Sequence, residues 1–147
     1  MGNRERGEID AVNQYLDSTL DSVDDAERLT LRAAQRAGMD EDDLQKVGMA
    51  VRESMTNAVV HGNRYNSHKK VHLSVSTEAE RFTVVIADEG EGFDYESLPD
   101  PLAPENLLRT SGRGIFLIRA FMDEFKVRRL QPRGTEVTLI KYLVSKD

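Results

Sequence analysis

Cysteine is absent from this chain of 147 residues. Its absence excludes a disulfide framework, a thiolate zinc site and a cysteine nucleophile, and it fits a reducing cytoplasm. Pro (4) and Gly (10) are too few for a collagen-like or low-complexity chain. No apolar run is long enough to cross a membrane, and the start MGNRERGE lacks the apolar segment of an export signal. We therefore expect a cytoplasmic globular protein that has no membrane partner.

Basic residues are scarce in the first half of the chain and concentrated near its end. Residues 1–50 carry 12 acidic and 6 basic side chains, residues 101–147 carry 5 and 9, and the formal net charge is -6. Direct nucleic-acid binding requires a clustered cationic surface, so we expect none here. Two interpretations of the acidic region stay open: solvated helix faces, which are the more common case, and a surface for a basic protein partner.

The chain has the length of one domain, since domains commonly contain about 100–150 residues. No repeat or linker divides it, so we expect a flexible tail at residues 1–8 and a single domain at residues 9–147. Hydrophobic spacing predicts eight elements: strands at 12–20, 70–77, 81–88, 124–130 and 135–144, and helices at 22–37, 41–61 and 114–122.

The order of these elements indicates the fold class. Adjacent hairpins with few crossover helices predict an α/β two-layer sandwich, in which helices cover one face of a mixed, mostly antiparallel sheet. Ser22 and Asp40 are predicted to cap the first two helices, and Gly38 is predicted to end the first. A loop over residues 89–111 is long enough to be functional or mobile. Neither GxxxxGK[ST] nor a strand-linked GxGxxG occurs, which excludes the common nucleotide-binding fingerprints.

Polar side chains follow one side of the second predicted helix. Glu53, Asn57 and His61 are spaced four apart and therefore lie on one helical face beside the apolar stripe. A carboxylate and a carboxamide oxygen one turn apart suit Mg²⁺ and the activation of a hydroxyl beside a phosphate. The alternative is an ordinary solvent-facing helix edge, which the spacing alone does not exclude.

Three further motifs combine glycine with polar residues. The segment 88–94 (DEGEGFD) follows a strand, so its first carboxylate can accept a hydrogen bond from an amine while glycines admit a flat ligand. Gly112-Arg113-Gly114 precedes the third predicted helix, where free N–H groups and the helix dipole stabilise an anion. Gly134-Thr135 opens the last strand. Each motif is also compatible with an ordinary turn.

Together these motifs occur in one order along almost the whole chain. They resemble the N, G1, G2 and G3 boxes of the GHKL ATPases, which share the Bergerat ATP-binding fold: Glu53-x3-Asn57-x3-His61, Asp88-x-Gly90-x-Gly92-Phe93, Gly112-x-Gly114 and Gly134-Thr135. The segments AVRESMTNAVVHGN, ADEGEGFD and SGRGIFLIRAFMDE look like those of the small anti-sigma-factor serine kinases of the RsbW and SpoIIAB type.

The resemblance implies a Mg-ATP site with assigned roles. Glu53 is the implied general base, Asn57 the Mg²⁺ ligand and Asp88 the partner of the adenine amino group. Gly112, Arg113 and Gly114 cradle the phosphates under a lid at 93–111. The remaining implied nucleotide-binding residues are His61, Gly90, Gly92, Phe93, Arg109, Ile115 and Thr135. His61 has a second interpretation as a cap near Gly62.

The resemblance also implies the activity and partners. It predicts an ATP-dependent protein serine/threonine kinase, itself a homodimer, that sequesters a sigma factor and phosphorylates a STAS-type anti-anti-sigma protein. The alternative is an ATP-dependent binding module with little or no kinase activity; the carboxylate of Glu53 favours the kinase. A sensor histidine kinase needs a phosphoacceptor histidine ahead of the N box, and none of the three histidines precedes residue 50. We therefore do not expect a sensor histidine kinase.

Overall fold

A computed structural model describes the backbone of residues 8–91 and 110–143, and the side chains of residues 11–91 and 116–143. The predicted order of helices and strands is confirmed in this part of the chain. The elements are β1 (Glu8–Asp17), α1 (Asp21–Arg36), α2 (Glu41–Thr56) with a π-helical continuation (Asn57–Gly62), β2 (Lys70–Glu78), β3 (Arg81–Ala87), α3 (Thr110–Phe121), β4 (Glu124–Arg129) and β5 (Thr135–Tyr142).

The five described strands form one sheet in the order β1-β2-β3-β5-β4. All four neighbouring pairs are antiparallel, so the predicted antiparallel character is confirmed and the described sheet contains no parallel pair. The strands β2 and β3 are joined by a hairpin whose turn holds Ala79 at a positive φ of 55°. The strand β5 returns beside β3 and brings the start of β5 next to the end of β3.

Side chains of the central strands alternate between a buried and a half-buried face. In β2 the buried positions are Val71, Leu73 and Val75, and β3 repeats the pattern from Phe82 to Ile86. This period of two is what a sheet covered on one face requires. The buried face packs against helical residues such as Val47, and a buried side chain of this size contributes about 1.5–3 kcal/mol.

The first two helices pack against each other and are joined at the surface by Arg52. Its guanidinium donates to Asp24 at 2.8 Å and to Glu27 at 2.7 Å, both on α1. Asp40 caps α2 as predicted, since its carboxylate accepts from the Asp43 amide at 2.9 Å. No described helix is both long and apolar enough to cross a membrane.

The predicted cap of the first helix is wrong. Ser22 lies inside the first turn of α1, where its amide donates to the Thr19 carbonyl, and the N-cap position is Leu20 without a side-chain hydrogen bond. The predicted end of α1 is confirmed, because Gly38 follows the last turn at a φ of +89°, a backbone conformation that favours glycine.

Several predicted boundaries are also corrected. The strand β1 occupies residues 8–17 rather than 12–20, because backbone pairing with β2 orders its polar start. The helix α3 begins at Thr110 rather than Gly114, so Gly112-Arg113-Gly114 lies within its first five residues and not ahead of it. Glycine is a weak helix former, and tertiary context overrides a propensity of this size. The strands β4 and β5 end at Arg129 and Tyr142, before the predicted 130 and 144.

A buried lysine on β5 ties together three elements at one end of the molecule. Lys141 donates to the Phe121 carbonyl at 3.0 Å, and its ammonium lies 3.6 Å from Asp43 and 3.9 Å from Asp123. The amine therefore links β5 to the beginning of α2 and the end of α3. The sequence patterns did not single out this residue.

Candidate nucleotide site

The end of α2 changes its helical geometry where the predicted polar face lies. Residues Asn57–Gly62 form a π-helix, and the Asn63 amide donates to the Ala58 carbonyl at 2.8 Å, five residues back. A π-helix has more residues per turn than an α-helix, so the angular offset between Asn57 and His61 differs from the α-helical offset that the sequence predicted. Glu53 and Asn57 remain one α-helical turn apart, since the Asn57 amide donates an α-helical hydrogen bond to the Glu53 carbonyl. Such π-helical turns are frequent at functional sites.

The carboxamide of Asn57 is buried and incompletely bonded. The side chain is 1% exposed, and its Nδ2 has no hydrogen-bond partner in the described structure. Leaving a buried amide unpaired costs about 1–3 kcal/mol, so the sequence would gain stability from an apolar residue here. The hydroxyls of Thr30, Ser54 and Thr135 are also buried and unpaired, so this property alone does not define a site.

Asp88 lies directly after β3, at the sheet edge where the sequence predicted it. Its side chain is 4% exposed, and Oδ1 accepts from the amides of Gly90 at 2.9 Å and Thr135 at 3.2 Å. The Asp88 amide in turn donates to the Thr135 carbonyl at 2.9 Å. Among the described residues no donor is bonded to Oδ2. One carboxylate oxygen is thus held by the fold, and the other accepts no hydrogen bond from the described residues.

Burial has the largest effect on the pKa of the Asp88 carboxylate. The pKa of Asp88 is raised above its ordinary value, because desolvation disfavours the charged form more than the Gly90 and Thr135 amides favour it. A carboxylate that is costly to ionise and yet has one oxygen without a donor is typical of a binding site.

Three glycines from separate segments pack around Asp88. A Cβ on Gly62 would overlap with the Asp88 carboxylate, and a Cβ on Gly90 would overlap with the Gly62 carbonyl. Gly134 has a φ of +111°, and a Cβ there would lie 2.5 Å from the Asp88 carbonyl oxygen. The close approach of these backbones requires glycine. Gly62 was missed as a site residue by the sequence motifs, because its contact with Asp88 bridges 26 positions.

Glu53 lies one turn before Asn57 and is half-buried. Its pKa is raised by burial, and the neighbouring Arg52 charge opposes part of that shift. Because Arg52 is itself held by Asp24 and Glu27, its charge has a fixed position beside Glu53. A carboxylate with a raised pKa is a stronger base than a solvated one, which suits proton abstraction from a hydroxyl.

Comparison with known proteins identifies the family of this chain. A family model described as a histidine kinase-like ATPase domain matches residues 16–141. The chain belongs to the histidine kinase-like ATPase family. Membership in this family implies ATP binding.

The similar proteins are serine-protein kinases of the RsbW type. Serine-protein kinase RsbW of Staphylococcus epidermidis is 39% identical over 124 residues, covering 79% of this chain and 77% of that protein. The RsbW of Staphylococcus aureus strain JH9 is 35% identical with the same coverage. These relatives show that the chain is of the RsbW type within the ATPase family.

A solved structure has the same fold. The crystal structure of the RsbU and RsbW domains of a Mycobacterium tuberculosis protein superimposes with a TM-score of 0.63 at 17% identity. The match covers 90% of this chain and 31% of that one, so this ATPase domain spans about a third of the other protein's length. At this identity the likeness establishes the two-layer fold alone.

His61 lines a cleft beside Asp88 in this RsbW-type domain. The cleft has a volume of about 220 Å³ and is also lined by Arg64, Lys69 and Glu91. The pKa of His61 is lowered, first by burial and then by the Arg64 charge, and both favour the neutral imidazole. Both interpretations of His61, a nucleotide contact and a helix cap, stay predictions.

The predicted site residues that the structure describes with their side chains fall into two groups. Asp88, Gly90 and Thr135 meet at one corner, and Glu53 and Asn57 share the end of α2. Gly92, Phe93 and Arg109 lie outside the described residues. Only the backbone of Gly112, Arg113, Gly114 and Ile115 is described, as part of α3.

Asp88→Asn is expected to stabilise the nucleotide-free protein at neutral pH. Because the folded pKa of Asp88 is raised, folding stability falls as pH rises from the ordinary aspartate range through the folded pKa. Asparagine keeps an acceptor for the two amides and removes that penalty. Thermal unfolding at pH 7 and at acidic pH measures the gain, which should vanish at acidic pH.

The same variant is expected to lower the preference for ATP over GTP by about tenfold or more, since a site built to pair one exocyclic group rejects its analogue strongly. The exposed Glu78→Gln is the control, with unchanged unfolding and preference. Equal unfolding curves for wild type and Asp88→Asn at pH 7 would contradict the stability prediction.

Proposed function

We propose that this chain is an ATP-dependent protein serine/threonine kinase. It sequesters a sigma factor and phosphorylates a STAS-type anti-anti-sigma protein. The phosphorylation state of that protein then determines which of the two partners the kinase binds. The observation that carries the proposal is the half-buried Glu53, with its raised pKa, one turn before the unpaired carboxamide of Asn57. A module that only binds nucleotide needs no base at this position.

The corner around Asp88 supports adenine recognition. Asp88 Oδ2 is free to accept from the exocyclic amine of adenine, while the Gly90 and Thr135 amides hold Oδ1 in place. The close glycine contacts of Gly62, Gly90 and Gly134 hold the backbone around Asp88 in place. The buried Thr135 hydroxyl has no partner among the described residues and is available to the nucleotide.

The residues around Asn57 fit Mg²⁺ bound together with phosphate. No cluster of three or more His, Asp or Glu side chains among the described residues has the geometry to hold a metal. Magnesium usually takes one or two protein ligands and completes its shell with phosphate oxygens and water, so the carboxamide oxygen of Asn57 suffices. When bound, the ion neutralises charge that develops on the phosphates.

Phosphate binding is proposed for the beginning of α3. The first N–H groups of an α-helix have no partner within the helix, and α3 begins at Thr110, so the amides near Gly112 and Arg113 are such groups. We keep Gly92, Phe93, Arg109, Gly114 and Ile115 as proposed nucleotide contacts on the strength of the motif resemblance.

Glu53 acts on the substrate hydroxyl in the transfer step. Its carboxylate takes the proton of the serine or threonine as the hydroxyl oxygen bonds to the γ-phosphorus. The bond from that phosphorus to the bridging oxygen breaks, and ADP leaves. Positioning supplies most of the acceleration in such reactions, so the fixed end of α2 matters as much as the base.

The experiment that tests the kinase starts from a lysate of the source organism. The protein is immobilised, bound proteins are captured, Mg-ATP is added, and released proteins are analysed by phosphopeptide mass spectrometry. Phosphoserine or phosphothreonine on a small captured protein with wild type, and none with Glu53→Gln, is the expected result. Nucleotide-dependent capture without phosphorylation contradicts the kinase and supports the binding module.

Association of the chain with itself completes the proposal. The resemblance implies a homodimer, and β1 leaves an edge of the sheet open because it pairs only with β2 among the described strands. Light scattering at micromolar concentration determines the mass, and a monomer contradicts this part of the proposal.

A further inference from the structure

The side chain of Asn63 is fully bonded at the point where the π-helix ends. It is 2% exposed, and Nδ2 donates to the Ser18 hydroxyl at 2.9 Å and to the Lys70 carbonyl at 3.0 Å. Its Oδ1 accepts from the Glu89 amide at 2.8 Å. One carboxamide therefore connects the exit of β1, the beginning of β2 and the segment that follows Asp88.

The Glu89 bond acts directly on the geometry of Asp88. Glu89 lies between Asp88 and Gly90, and Gly90 also touches the Gly62 carbonyl next to Asn63. With Glu89 fixed by Asn63 and Gly90 bonded to Asp88 Oδ1, the turn after β3 has one orientation. The anchor is itself rigid, because the Ser18 hydroxyl donates to the Lys69 carbonyl at 2.5 Å.

We propose that Asn63 is a positioning residue that sets the selection of adenine over guanine by fixing the Asp88–Gly90 turn through Glu89. The inference rests on the proposed function, since it requires that Asp88 reads the base. Asn63 does not touch the base in this proposal and acts only through the turn.

Selection depends on orientation for a simple chemical reason. Adenine presents an amine to Asp88 Oδ2, whereas guanine presents a carbonyl oxygen at the same place and repels the carboxylate. A carboxylate in a fixed orientation strengthens the binding of adenine by a hydrogen bond and weakens the binding of guanine by repulsion. If the carboxylate rotates away, both the hydrogen bond to adenine and the repulsion of guanine become weaker. The difference between the affinities for the two nucleotides then becomes smaller.

Asn63→Ala tests the proposal by calorimetric titration with Mg-ATP and Mg-GTP. We expect the ratio of the two affinities to fall at least about fivefold, in line with the loss of bonds to buried partners. Amide exchange gives a second readout that needs no nucleotide, in which the Glu89 amide should exchange at least about tenfold faster in the variant.

Two variants separate positioning from general destabilisation. Lys141→Met removes a buried, bonded side chain roughly 20 Å away, at the other end of α2, and should lower the melting temperature without changing the affinity ratio. Ser18→Ala removes one of two acceptors for Asn63 and leaves the Glu89 bond, so it should lower the ratio by about twofold.

Each result has a defined meaning. A folded Asn63→Ala with the wild-type ratio overturns the inference and leaves ATP binding intact, as does an equal fall of the ratio in Lys141→Met. If Asn63→Ala does not fold, the Ser18→Ala ratio decides, and an unchanged ratio overturns the inference. A wild type that binds neither nucleotide overturns the proposed function and this inference together.

Discussion

Glu53→Gln is expected to lower the rate of phosphotransfer by about 10²–10⁴-fold, the usual contribution of a positioned general base. Glutamine has nearly the same shape as glutamate and keeps the half-buried position, but its amide does not take up a proton at neutral pH. Binding of Mg-ATP should be unchanged within about twofold, because the proposed metal ligand is Asn57 and not Glu53.

The pH dependence of the wild type provides a check on the same assignment. Burial raises the pKa of Glu53, so the rate should fall on acidification at a higher pH than an exposed glutamate gives. In Glu53→Gln the remaining rate should lack this acidic limb. The measurement is single-turnover transfer from Mg-ATP to the unphosphorylated partner protein at several pH values.

The control for this prediction is Glu41→Gln, which changes an exposed carboxylate on the same helix. It should keep both the rate and its pH profile. A Glu53→Gln rate within about threefold of wild type would contradict the role of general base, since removal of a working base costs far more.

The fold was predictable where hydrophobic periodicity is strong. The stripe of α2 was identified from spacing alone, and Leu44, Val47, Val51, Met55 and Val59 are all buried. The hairpin of β2 and β3 was identified for the same reason, since a period of two stands out over seven or more residues. Boundaries were less accurate, because backbone pairing and helix packing extend elements beyond the residues that favour them.

The beginning of α3 shows how tertiary context overrides a local signal. Two glycines at 112 and 114 disfavour a helix by about 1 kcal/mol each, yet the helix includes them. The π-helix at the end of α2 is a similar case. It depends on the bond from the Asn63 amide to the Ala58 carbonyl, for which the sequence carries no recognisable pattern.

The candidate site was predictable as far as its motifs are local. Asp88 and Gly90 follow a strand that the sequence revealed, so their position at the sheet edge was expected. The four box motifs did not include Asn63, and its bonds to Ser18 and Glu89 join positions 45 and 26 residues away. Such long-range contacts leave no local signal, and a single buried asparagine resembles any other in a sequence.

Asn57→Ala is expected to abolish measurable Mg-ATP binding and yet leave the nucleotide-free protein at least as stable as wild type. The first effect follows if its carboxamide oxygen holds the magnesium ion that bridges protein and phosphates. The second follows because Nδ2 is buried without a partner, so its removal relieves an unpaired group. Calorimetric titration and thermal unfolding measure the two effects.

The combination of these effects distinguishes a binding residue from a structural one. A structural asparagine would lose stability on truncation, typically by about 1–3 kcal/mol, because its buried partners would be left unpaired. Thr30→Val is the matched control: its hydroxyl is also buried and unpaired, but it lies on α1, so stability should hold or rise and Mg-ATP affinity should stay at the wild-type value. Undiminished affinity in Asn57→Ala would exclude the metal assignment, and a destabilised but nucleotide-binding variant would make Asn57 a structural residue.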